Sequence, residues 1–303
     1  AAPVHVLQAG TLVLDYSTNN NSKLADTGSL TLGGSRVGGT LQLVGGSHVE
    51  VVSGITIGTG GNKIERLSGT GILRMNGIGR QVGGTVNFAQ ENIASTDTDN
   101  VSGILGAWAT VGTSDWAFKS SFSEAGVDTG VTTGADKLVR RFTAYNNSSA
   151  ANDWVLSSTS GNMNVIADNT QNNSLANTLR FDSTDPDLVR RVTLSGANLL
   201  NAGGILITPG MAGSDAVIDG QGTIATGRQF NANLINDLII IQNNPVSQAE
   251  ISAIVANASA NRADRVGTTA DGSPSVTGIT NTADLYVNML VSGPGIAPNT
   301  RIT

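Results

Sequence analysis

Short bursts of alternating apolar and variable residues recur along the chain, each introduced by a glycine. Gly10 opens the run Thr11, Leu12, Val13 and Leu14. Gly28, Gly39, Gly54, Gly71 and Gly84 open comparable runs over 28–32, 39–43, 54–57, 71–75 and 84–88. Alternation with a period of two predicts strands with one buried face. The bursts end in glycine, asparagine and serine, as at Asn19, Asn20 and Asn21 or at Gly45, Gly46 and Ser47. Such residues accept positive φ or bond the local backbone, as turns require. Residues 58–61 read as another corner. No helix longer than a turn or two is predicted in the first hundred residues.

Residues 91–190 are less regular. Segments 103–111, 115–117 and 137–142 read as strands separated by longer loops. Regular bursts return at 164–166, 178–181, 192–194, 204–207, 216–218 and 237–241. Residues 247–263 are rich in alanine, and Ile251, Ile254 and Val255 fit a helical spacing weakly. That stretch reads as a linker, a short helix or an irregular final coil, with a separate β module from about residue 265.

Two all-β architectures accommodate strands this short: an antiparallel sandwich or barrel, and a parallel β-solenoid. The solenoid is favoured. The breaks vary in length while the strand motif stays constant; successive opening glycines lie 18, 11, 15, 17 and 13 residues apart. Two-residue hairpin signals are scarce; Asn76-Gly77 and Asp219-Gly220 fit solenoid corners equally well.

Composition narrows the function classes. Charged residues make up only 13% of the chain, so its surface must be covered by Asn, Ser, Thr and Gly. Apolar residues still reach 39%, enough for a folded core rather than a disordered chain. The net charge of −6 argues against nucleic acid and against an anionic membrane surface. No apolar run approaches a membrane span. The absence of cysteine removes disulfides, thiolate metal sites and a thiol nucleophile.

Candidate chemistry is sparse. His5 and His48 stand far apart without evident catalytic or metal partners. Asp182, Asp185 and Asp187, followed by Arg190 and Arg191, form the best carboxylate cluster. They could bind Ca²⁺ or act as a glycosidase pair, but Pro186 and the Asp spacing favour a polar turn. Asp97, Asp99 and Asn100 read the same way. Arg140-Arg141 and Arg190-Arg191 sit in strands, where neighbours face opposite sides, so neither pair makes one basic patch. Trp108, Trp116 and Trp154 could stack on sugars, although core or loop-anchoring roles are favoured. No cofactor is expected.

The Gly-Thr-Leu-x-Leu units resemble the autotransporter-associated β-strand repeats of bacterial passenger domains. Residues 192–207, with Ser195, Gly196, Ala197, Asn198, Gly203 and Gly204, are similar to that family's strand–turn–strand unit. Residues 102–111 with 115–117 look like a segment of large repeat-bearing relatives from environmental bacteria. Together these similarities cover about residues 7–245. The tail, 267–279 and 285–296, resembles a small β module of giant bacterial surface and phage tail proteins.

The resemblance implies a right-handed parallel β-helix over 1–245, a linker or short helix over 246–264 and a truncated β module over 265–303. It implies export to the bacterial surface and a non-enzymatic structural or adhesive role. The partners it suggests are neighbouring repeats, further copies or surface glycans. A start at Ala1 and an end inside a module suggest a segment of a longer chain. Coils of roughly 20–30 residues would stack into a rod on the order of 50–70 Å long. The alternatives are a carbohydrate-active β-helix built on Asp182, Asp185 or Asp187, and a trimeric phage tail-fibre piece.

Overall fold

The computed structural model describes residues 4–6, 9–123, 137–155, 161–226, 237–256, 267–270, 275–279 and 296. Among these the chain is all-β, its one helical element being the 3₁₀ turn Pro209–Met211. The glycine-led bursts are strands, but sequence neighbours do not pair with each other. Thr11–Asp15, Thr40–Val44, Gly60–Arg66, Gly84–Phe88 and Ala109–Val111 form one parallel ladder. Val4–Val6, Ser29–Leu32, Gly54–Ile57 and Gly77–Arg80 form a second. Val49–Val51, Ile72–Arg74 and Ala94–Thr96 form a third.

The chain therefore visits several ladders before returning to the first. Paired positions in these ladders lie 21 to 29 residues apart; hydrogen bonds link Gly39 to Asn62, Gln42 to Glu65 and Asn62 to Thr85 at steps of 23. This register stacks like on like: Leu41 opposite Ile64, and Leu30 opposite Ile55 opposite Ile78. Leu30, Leu32, Leu41, Leu43, Ile57 and Ile64 are fully buried. Each contributes roughly 1.5–3 kcal/mol by leaving water.

Corners are fixed by asparagine and glycine. Asn62 accepts from the Gly39 amide at 2.8 Å and donates to the carbonyls of Gly58, Gly60 and Thr85. All its polar valences stay satisfied in the interior. Residues 58–61, expected as a corner, are half of one: the strand begins at Gly60. Its φ of +102° and a Cβ position 2.4 Å from the Gly38 nitrogen admit only glycine there.

The parallel order stops at residue 111, which corrects the expectation of one parallel stack over 1–245. Only Gly112, Thr113 and Ser114 separate Ala109–Val111 from Asp115–Ser123. A parallel successor needs a crossover of a dozen or so residues, so this short link forces an antiparallel pair. Asp115–Ser123 pairs antiparallel with Lys137–Arg141, which pairs antiparallel with Ala94–Thr96. The hairpin joins the first ladder to the third, giving a mixed, curled ten-stranded sheet. Ala117 and Val139 on this hairpin pack into the same core as Leu43 and Phe88.

A second block of parallel strands follows. Asn146–Ser148, Asn162–Val165, Leu175–Phe181, Ala197–Ile207, Thr223–Thr226 and Ile254–Ala256 make one ladder, with Ile239–Gln242 also on Ala197–Ile207. Asn169–Asn172, Val189–Ser195, Asp215–Gly220 and Ala249–Ile251 make another. Their core holds Trp154, Leu179, Phe181, Val192, Ile205 and Ile218. An internal row of asparagines runs through it, Asn201 donating to Asn177 and Asn177 to Asn162. Of the three readings of 247–263, a linker, a short helix or an irregular final coil, residues 249–256 fit the last: they form two strands, each in register on a preceding strand, and that pairing overrides a weak helical spacing.

The two blocks meet at Trp116. Its indole, fully buried, packs with Ile104, Ala107, Phe142 and Leu206. A Cβ on Gly204 would lie 2.5 Å from that of Ala107 and 2.9 Å from the Trp116 ring, so the absent side chain is what lets the blocks close. Polar links flank this contact: Asn162 to the Ser102 carbonyl, Asn243 to that of Thr113, and Asp237 to Arg80 and the Gly83 amide. In the tail, Thr268–Thr269 pairs antiparallel with Val276–Thr277; the 285–296 part of the resemblance to a small β module lies outside the described residues, Ile296 excepted.

Candidate functional site

Of the aspartates read as a polar turn, with a Ca²⁺ or glycosidase site as the weaker alternative, Asp182 and Asp185 are paired with arginines. Asp182 bonds Arg180 and the Thr208 hydroxyl. Asp185 lies 2.8 Å from the buried Arg190 guanidinium and accepts from the Asp187 amide. Asp187 is exposed. Among the described residues no three His, Cys, Asp or Glu side chains converge as a metal site. Asp99 pairs with Lys119 at 2.6 Å, while Asn100 exchanges two hydrogen bonds with the Lys119 backbone, clasping the hairpin. Asp99 is pulled below the usual carboxylate range by that ammonium.

The tryptophans do not form a sugar platform. Trp116 lies in the block junction and Trp154 in the second core, its Nε1 donating to Ser148 Oγ at 3.0 Å. Trp108 is half-buried against the first core. Burial of two indoles removes the accessible face that stacking requires. Arg190 and Arg191 divide as strand geometry demands, whereas Arg140 and Arg141 converge on one carboxylate. Arg190 is buried and Arg191 half-exposed on Asp219, while Arg140 and Arg141 share Glu91. The His5 side chain lies outside the described set. His48 packs on the Tyr16 ring at 5.3 Å, its Nε2 3.9 Å from Glu50.

Two polar clusters were not read from the sequence. At the block junction, Arg180 donates to the Ser114 carbonyl and to Asn164, bonds Asp182, lies 3.4 Å from Asp115 and covers the Tyr145 ring. Burial pushes Asp115 up despite that guanidinium. In the first block, Glu50 is wholly buried and accepts from Tyr16 Oη at 2.5 Å, Ser22 Oγ at 2.9 Å, and the amides of Lys23 and Leu24 at 2.8 and 2.7 Å. The segment between Thr11–Asp15 and Ser29–Leu32 is thus fastened to the flank of the ladder.

Both phenols here are pushed well above the ordinary tyrosine range, Tyr16 by burial and then Glu50, Tyr145 by burial and then Asp115. The folded chain therefore holds protons that the unfolded chain releases near pH 10. Stability is full below that value and falls as pH rises above it. Absorbance titration at the tyrosinate band should show at most one of the three tyrosines ionising before the fold is lost; two ionising in the native state would contradict this placement.

The terminal strands present a different chemistry. Ile254–Ala256 and Ala249–Ile251 end their ladders, and no described residue pairs with their outer edges. Ile254 and Val255 are 60% and 54% exposed, and Val246 and Ile240 are exposed as well. The Ile254 amide bonds inward to the Gly222 carbonyl. Alternate residues of a parallel strand bond opposite neighbours, so the Val255 amide and carbonyl point outward. At the other end Thr11–Asp15 also has one unpaired edge among the described residues, with Val13 exposed. No helix of the described residues is long and apolar enough to cross a membrane.

No known family matches the chain, and neither curated proteins nor solved structures yield a match, so nothing identifies an autotransporter-associated repeat protein.

Proposed function

We propose that the chain is a structural module of an extracellular bacterial surface or fibre protein, lengthened by strand stacking, and that it performs no catalysis. In this reading the steps of 21 to 29 residues in the first block are successive coils of a right-handed parallel β-helix, and the autotransporter-associated repeats are its relatives. The observation that carries the reading is the outer edge of Ile254–Ala256, where apolar side chains flank outward backbone groups. Such an edge templates pairing with a further strand. The occupant would be a first strand of another copy, whose Thr11–Asp15 offers a parallel edge in turn.

Val255→Pro tests this. Proline removes the outward amide while sparing the inward bonds of Ile254, and edge strands tolerate it. Sedimentation velocity over a wide concentration range should show the parent chain growing into larger species and the variant remaining monomeric. The variant's free energy of unfolding should change by no more than about 1 kcal/mol. A parent that stays monomeric, or a variant that assembles equally, would remove the proposal. A stable trimer that does not grow further would instead favour a tail-fibre piece.

A further inference from the structure

A shallow, open depression of about 360 Å³ lies on the second block. Its wall is the turn at residues 149–151, and its floor carries Asp168, Thr170, Arg191 and Thr193. The wall is preorganised. Asp153 accepts from the amides of Ser149 and Ala150 at 2.6 and 2.8 Å, from Ser148 Oγ at 3.1 Å and from Gln171 Nε2 at 2.9 Å. The floor is set by the ladder, with Thr170 opposite Thr193 and Thr193 opposite Asp219. These side chains therefore form a row with strand spacing of about 4.8 Å.

The floor keeps unused hydrogen-bonding capacity. The Thr170 and Thr193 hydroxyls have no partner among the described residues. One oxygen of Asp168 accepts from the Arg191 amide, and its side chain remains 53% exposed. Arg191 engages Asp219 through one amino group and is 41% exposed, leaving further N–H donors toward the depression.

The geometry points to a binding subsite for a neutral oligosaccharide. A row of carboxylate, hydroxyl and guanidinium groups matches the mixed donors and acceptors of sugar hydroxyls. An anionic glycan would meet Asp168 and Asp219 together. A cationic one would compete with Arg191 for those carboxylates. No aromatic ring lines the depression, so one site binds weakly, with a dissociation constant on the order of 1 mM. Tandem copies would raise it through multivalency. The site stands apart from assembly, since none of its residues belongs to the terminal strands.

The test is a titration of the whole chain, followed by NMR, with neutral tetrasaccharides of glucose, mannose and galactose and with oligogalacturonate and oligoglucosamine as charged arms. At least one neutral tetrasaccharide should bind, and Asp168→Asn and Thr170→Val should each weaken it about fivefold. Thr18→Val, in the other block, should leave it unchanged. Unfolding midpoints equal to the parent's establish that the variants are folded. Absence of neutral binding up to about 10 mM, preference for a charged arm, or parental binding by both folded variants would overturn the assignment. Any of these can occur while the chain still assembles, so failure here is distinguishable from failure of strand stacking.

Discussion

Glu50→Ala is expected to lose about 4 kcal/mol of stability. The carboxylate is wholly buried and receives Tyr16 Oη, Ser22 Oγ and the amides of Lys23 and Leu24. Truncation strips the acceptor from Tyr16 Oη and from the amides of Lys23 and Leu24, while Ser22 Oγ keeps the Leu24 carbonyl; a buried unsatisfied group costs about 1–3 kcal/mol, less where water can reach it. Glu50→Gln keeps the volume but turns an amide N–H₂ toward donors, so it should lose about half as much. Urea unfolding measures both. The backbone amides of Lys23 and Leu24 should also lose their protection from hydrogen exchange selectively, before global unfolding. Variants that unfold at the parent's urea midpoint, with unchanged exchange at Lys23 and Leu24, would show that Glu50 does not hold this segment.

Trp116→Ala should cost about 3–5 kcal/mol, because the indole fills the junction and its removal leaves a large cavity. The effect extends beyond the cavity, since Ile104, Ala107, Phe142 and Leu206 from both blocks share that cluster. Trp116→Phe should lose far less. The Nε1–H finds no acceptor among the described residues, so only ring volume is given up. Gly204→Val should approach the alanine variant from the opposite direction, forcing a side chain against Ala107 and the Trp116 ring. Calorimetry should split the single transition of the parent into two for Trp116→Ala and Gly204→Val, one per block. A single transition at the parent's temperature in both would contradict the junction.

The strands were legible because their alternation is local. Leu30, Leu32, Leu41 and Leu43 announce a buried face without knowledge of their partners, and each is fully buried. The partners were not legible. The glycine intervals of 18, 11, 15, 17 and 13 residues measure steps between ladders, whereas the return to a ladder takes 21 to 29 residues in the first block and spans more than one strand. The reversal after residue 111 follows from a three-residue link whose length can be read only once both strand ends are known.

Charge was harder still. In Val49–Val51 alternation would place Glu50 outward, opposite its two valines, yet all three are buried. The segment before Ser29 covers that outer face, and nothing local to residue 50 records it. Arg180 likewise lies in an ordinary strand, and its partners Ser114 and Asp115 are far away in sequence. The aspartates near residue 185 drew attention for their density, but density alone does not reveal that arginines already occupy them.

Strand stacking along one axis is the central claim, and X-ray fibre diffraction from aligned, concentrated protein tests it most directly. The account predicts filaments of constant width whose strand-spacing reflection, at about 4.8 Å, lies along the filament axis. Uniform monomers at every concentration, or that reflection lying perpendicular to the axis, would contradict it.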